Sequence, residues 1–104
     1  MITGRTRLVA LLGHPVSGSL SPQMQNAAFA ERGLDWAYVA CDVAPESFET
    51  AVRGLAAAGF AGANVTTPHK EAAAALAETE LDSVNTLVFV EGRVLGHSTD
   101  AAVL

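Results

Sequence analysis

Apolar positions along this chain fall into short runs separated by amphipathic stretches. Leu8, Val9, Ala10, Leu11 and Leu12 follow one another without a polar break, so Arg7 to Gly13 reads as a buried strand. A loop rich in Gly, Pro and Ser follows, from His14 to Ser21. Ser21-Pro22 then signals a helix, with Ser21 as N-cap and proline at the first helical position, where an N–H has no helical partner anyway. The helix is expected to reach about Arg32, and Gly33 is placed to end it. Trp36 to Val43 is predicted as a second strand, since Tyr38 and Val39 have high strand propensity. Pro45 opens a second helix whose buried face is marked by Phe48, Val52 and Leu55, and Gly59 closes it. Gly62 to Thr66 reads as a third, short strand. Thr67-Pro68 repeats the cap-then-proline signal and predicts a helix through Ala77. Val84 to Val90 is a fourth strand, Glu91-Gly92 a tight turn, and Val94-Leu95 its hairpin return. Thr99 or Asp100 is expected to cap a further helix from Ala101 onward.

This alternation predicts an α/β fold, a layered domain with a mostly parallel sheet flanked by helices. The 104 residues suffice for one small domain, and an apolar fraction of 50% supplies a core. The final predicted helix stops at Leu104 after one turn, on an apolar end, so the sequence is expected to be part of a longer chain. The net charge of −5, with Lys70 the single lysine, argues against a nucleic-acid or anionic-membrane partner. A small anionic ligand stays compatible, because hydroxyls and helix N-termini hold anions locally. No apolar run approaches the roughly 20 residues of a membrane span. The residues before Leu8 are too few and too polar for a signal peptide. Cys41 stands alone, which excludes an internal disulfide and fits a reducing, cytoplasmic location. His14, His69 and His97 lie at no compact metal-ligand spacing, so no metal site is expected.

Three predicted strand ends carry polar residues, where open α/β sheets bind ligands. Gly13 and Gly18 have the separation of a phosphate-binding loop, but Ser19 stands where its lysine belongs and Pro15 removes an N–H. What remains is two hydroxyls, Ser19 and Ser21, at a helix N-terminus, an arrangement suited to a carboxylate. The plain alternative is a capping Ser21 and a solvated Ser19. Lys70, in Asn64-Val65-Thr66-Thr67-Pro68-His69-Lys70, falls in a first helical turn, where the dipole disfavours its charge by about 0.3–1 kcal/mol. Such a placement favours the neutral amine needed to accept a proton, although an ordinary surface lysine fits the same position. Asp100, after Gly96-His97-Ser98-Thr99, reads either as an N-cap or as a carboxylate beside Lys70. Asn85 is unusual within an apolar strand and needs a partner, either in a turn or on a ligand.

Taken in order, these segments resemble the substrate-binding domain of shikimate dehydrogenases over roughly residues 7 to 104. Gly13-His14-Pro15 with Ser19-Leu20-Ser21-Pro22 is similar to the family's opening motif. Asn64 to Lys70 resembles its catalytic-lysine motif, Val84-Asn85-Thr86 the strand motif that follows, and Gly96 with Thr99-Asp100 its catalytic-aspartate motif. The resemblance implies reversible reduction of 3-dehydroshikimate to shikimate with a nicotinamide cofactor, usually NADP, in aromatic amino-acid biosynthesis. It implies Lys70 and Asp100 as the catalytic pair, Ser19 and Ser21 on the substrate carboxylate, and Thr66 and Asn85 on ring hydroxyls. A relative that also accepts quinate would share these contacts, and a non-catalytic ligand-binding domain of the same fold is a further alternative. Gly18 and Ser98 replace a His and an Asn common in the family. The stretch from Lys70 to Asn85 is about one and a half helical turns short of the family pattern, so Glu78-Thr79-Glu80-Leu81 marks either a deletion or an unrecorded loop, and a real deletion would put the reach of Asn85 to the site in question. The family's second, Rossmann domain has no fingerprint here, so the cofactor half is expected to be absent and this segment alone inactive.

Overall fold

The computed structural model describes residues 1–99. Five strands form one mixed sheet: β1 (Arg7–Gly13), β2 (Trp36–Asp42), β3 (Gly62–Val65), β4 (Thr86–Val90) and β5 (Arg93–His97), in the spatial order β2-β1-β3-β4-β5. β1 pairs in parallel with β2 and β3, while β4 is antiparallel to both β3 and β5. Four strands therefore run one way and β4 runs back, which gives the expected layered α/β domain with one reversed strand.

The helices are α1 (Ser21–Glu31), α2 (Phe48–Ala57) and α3 (Lys70–Leu76), with a single 3-10 turn at Pro45–Ser47 leading into α2. Glycine ends two of them as the sequence predicts. Gly33 and Gly59 have φ of +68° and +88°, a region that costs glycine least. Beside them Leu34 N–H reaches Phe29 O and Phe60 N–H reaches Leu55 O, closing each helix in a Schellman turn. The hairpin turn Glu91-Gly92 has both residues at positive φ, +49° and +79°, which matches the twist of the paired strands.

The core lies on one sheet face. Ala10, Leu12, Ala63, Val65, Leu87 and Val94 point from the strands into Phe48, Val52 and Ala73 of α2 and α3. The opposite face carries α1 at the β2 side. No residue of α1 is buried, and the helix is held laterally instead: Asn26 bonds the Tyr38 backbone, and the Phe29 ring lies 5.9 Å from that of Trp36.

Several expected boundaries shift. Leu20, not Ser21, occupies the cap position of α1, because Ser19 Oγ already accepts Ser21 N–H at 3.2 Å and the ladder begins with Met24 N–H on Leu20 O. Thr67-Pro68 does not open a helix; the peptide bond is cis, His69 N–H turns back to Thr66 O, and α3 starts at Lys70. Val84 and Asn85 precede β4 rather than belong to it, and β5 extends to His97. Glu78 lies on the outer edge of β5, its N–H on Val94 O and its carbonyl accepting Gly96 N–H, so the segment after α3 protects that sheet edge. The predicted helix from Ala101, with Asp100 as a possible cap, lies outside the described residues.

Candidate active site

The sheet order places the site. The chain leaves β1 toward β2 on one side, then returns past β1 to β3 on the other, so the order reverses between β1 and β3. Loops diverge at such a point and leave a crevice at the carboxyl ends of the strands. The two loops meet there: Thr66 N–H bonds Leu12 O at 2.9 Å, and His14 N–H bonds Thr67 O at 3.2 Å. Gly13 allows this approach, because a Cβ there would stand 2.5 Å from Thr66 Cγ2. The reversal of β4 brings its start, and hence Asn85, to the same edge. Thr99, just after β5, arrives there too.

The crevice is a cleft of about 220 Å³ lined by Ser21, Thr66, Lys70 and Asn85, with Tyr38 and Asn64 on its floor. Four of the sequence-predicted site residues thus converge from α1, the loop after β3, α3 and the segment before β4. Ser21 is the first residue of α1, so the helix N-terminus adds partial positive charge beside Lys70 in an otherwise acidic chain. Ser19 does not line the cleft; its Oγ is engaged by Ser21 N–H at the rim. Despite the short connection from Lys70, Asn85 reaches the cleft. Val65 N–H donates to Asn85 O at 2.8 Å and Asn85 N–H to His97 O at 3.1 Å, which stitch the residue between β3 and β5. Asp100 lies outside the described residues, directly after Thr99, which itself lines the cleft.

His69, just before Lys70, is 1% exposed. Its Nε2–H donates to Val43 O at 2.7 Å, and its ring stacks on Phe48 with centroids 4.6 Å apart. It thereby pins the start of α3, and Lys70 with it, to the loop after β2. On the other side, His14 Nδ1 pairs with Asp42 Oδ1 across the ends of β1 and β2.

Tyr38, Asn64, Thr86 and Gln25 belong to the site neighbourhood without having been singled out from the sequence. The Tyr38 hydroxyl donates to Asn64 Oδ1 at 3.0 Å, and burial pushes its pKa above the ordinary value of 10.0, so it remains a donor. The alternation of β3 could have revealed Asn64, which points away from the core between Ala63 and Val65. Among the described residues no cluster of three or more His, Cys, Asp or Glu stands together as a metal site, and no helix is long and apolar enough to cross a membrane.

A glycine-rich dinucleotide turn has no counterpart among the described residues. Gly54 lies inside α2, Gly59 follows its end, and Gly62 lies in β3, so none forms the strand-to-helix turn that a pyrophosphate needs.

Residues 11–87 match the family model described as the shikimate dehydrogenase substrate binding domain. A protein named shikimate dehydrogenase (NADP(+)) from Rubrobacter xylanophilus is 53% identical over 109 residues, covering 97% of this chain and 38% of that protein. One of the same name from Methanothermobacter thermautotrophicus is 47% identical over 108 residues, with 98% and 38% covered. The crystal structure of shikimate 5-dehydrogenase from Thermus thermophilus in complex with shikimate superposes with a TM-score of 0.87 at 39% identity, over 93% of this chain and 39% of that one. The chain belongs to the shikimate dehydrogenase substrate-binding domain family. It spans about two fifths of the length of the curated relatives it matches, at 38% of each. An alignment of 109 positions also exceeds this chain's 104 residues, so the Rubrobacter relative carries extra residues within the matched region.

Proposed function

We propose that this chain is the substrate-binding domain of an NADP-dependent shikimate dehydrogenase, which reduces 3-dehydroshikimate to shikimate reversibly in aromatic amino-acid biosynthesis. The observation that carries this reading is the convergence of Ser21, Thr66, Lys70 and Asn85 in one small cleft. The substrate carboxylate sits against Ser21 and the α1 N-terminus, with Ser19 at the rim, its O–H still able to donate, as a second hydroxyl for the anion. Thr66 and Asn85 hold ring hydroxyls. Lys70 and Asp100 are the catalytic pair: in oxidation the pair takes the proton of the reacting hydroxyl, and in reduction protonated Lys70 returns it and stabilises the developing alkoxide.

Hydride transfer at the same carbon is the chemistry that NADP would supply when bound. The residues present do not form its cradle, so a separate Rossmann domain is assigned to that task and the 104-residue chain is expected to turn nothing over alone. The reading carries a cytoplasmic location with it, which the half-buried, unpaired Cys41 fits. Joining the chain to the remaining portion of the Rubrobacter relative tests the proposal. NADP-dependent oxidation of shikimate is expected from the fusion, with loss of activity in Lys70→Ala and Asp100→Ala. A folded fusion without turnover, or turnover undiminished in both variants, overturns it.

A further inference from the structure

We infer that Tyr38 is a positioning residue for the cleft, holding Asn64 in place and, through Thr86, steadying the carboxamide of Asn85. This rests on the proposed substrate site and adds to it a device that spans the sheet. Asn26 of α1 clamps the backbone of Tyr38 on β2 twice, its Nδ2 donating to Tyr38 O at 2.9 Å and its Oδ1 accepting Tyr38 N–H at 2.8 Å. The side chain of Tyr38 then reaches across β1 to Asn64 on β3. Register continues the line, since Asn64 faces Thr86 on β4. Asn64 Nδ2 points to Thr86 Oγ1 at 3.4 Å, and Thr86 Oγ1 donates to Asn85 Oδ1 at 3.0 Å. Asn85 Nδ2 reaches Thr99 Oγ1 at 2.9 Å, and Thr99 N–H returns to Asn85 Oδ1 at 3.0 Å.

The direction of this relay follows from its far end. A backbone N–H only donates, so Thr99 fixes Asn85 Oδ1 as the acceptor. The single Thr86 hydroxyl proton goes to that oxygen, which leaves Thr86 to accept from Asn64 Nδ2. Asn64 then presents Oδ1 to Tyr38, whose hydroxyl must donate. Carboxamide oxygen and nitrogen are nearly equal in shape, so partners alone decide which end faces a ligand. Thr99 therefore sets the sense of the relay, and Tyr38, 3% exposed and clamped by Asn26, holds its other end in place. The same clamp ties α1, with Ser21 at its start, to the sheet, so the two ends of the cleft are set by one connected network.

The test uses the isotope-labelled 104-residue chain with Tyr38→Phe and, independently, Thr86→Val, each removing a link while conserving shape. Side-chain amide resonances of Asn64 and Asn85 are recorded without ligand, and shikimate is then titrated. Both variants are expected to fold, to shift the Asn85 amide signals, and to weaken shikimate by about three- to tenfold. A purely structural Tyr38 would leave the distant Asn85 amide unmoved. Asn85 signals unchanged in both variants, or shifted signals with unchanged affinity, overturn the inference. Absence of shikimate binding by the parent chain overturns the functional reading instead, and the ligand-free amide signals still decide whether the relay exists.

Discussion

Replacing His69 with phenylalanine isolates one hydrogen bond in the support of Lys70. Phenylalanine preserves an aromatic ring at the 4.6 Å stack on Phe48 but removes the Nε2 donor that Val43 O meets at 2.7 Å. The residue is 1% exposed, so water does not replace the lost partner. A buried acceptor left unsatisfied costs about 1–3 kcal/mol. For a domain of about 100 residues each kcal/mol lowers Tm by roughly 4–8 °C, so a fall of about 4–24 °C is expected. Urea unfolding of the two proteins, monitored by circular dichroism, measures the loss as a lower midpoint at constant slope. Because the ring contact survives in His69→Phe, the loss reports the hydrogen bond rather than the stack. A stability change below about 0.3 kcal/mol in His69→Phe would refute the reasoning, since it is well under the smallest cost of an unpaired buried carbonyl.

Gly13→Ala is expected to weaken shikimate binding without removing any polar group, because its Cβ would displace Thr66 Cγ2; calorimetry showing parental affinity would count against that placement of Thr66. Glu91→Asn at φ +49° is expected to raise stability by about 0.5 kcal/mol, as asparagine tolerates the left-handed region better, and a lower Tm would contradict it. Hydrogen bonding to Arg93 holds the Glu78 carboxyl below its ordinary pKa. Its contribution is therefore complete above the unfolded carboxylate range and lost as pH falls through the folded value. The stability difference between the parent and Glu78→Gln should be small at neutral pH, shrink toward acid and shrink further in salt; a difference that grows toward acid reverses the sign.

Local patterns made most elements legible. The run Leu8 to Leu12 marks β1 because a central strand is covered on both faces, and Gly33, Gly59 and Gly92 mark the places where φ is positive. Boundaries failed where side chains or tertiary contacts replace local signals. Ser19 rather than Ser21 receives the first N–H of α1, and the turn from Thr66 to His69 supplants the expected start at Thr67. Of the site, the strand-end motifs around Ser21, Thr66, Lys70 and Asn85 were visible as polar interruptions. Tyr38 was not, since a tyrosine in a strand reads first as a strand former; only the pairing order that brings β2 within reach of β3 across β1 gives its hydroxyl a role. Asn85 looked endangered by the short connection because sequence spacing does not reveal that its backbone is anchored to Val65 and His97.

The most direct measurement is a calorimetric titration of shikimate into the 104-residue chain beside Lys70→Ala. The proposed site predicts saturable binding by the parent and affinity weakened about ten- to a hundredfold in the variant, the loss of hydrogen bonds from a charged group. Equal affinity in the two proteins, or no binding in either, would contradict it.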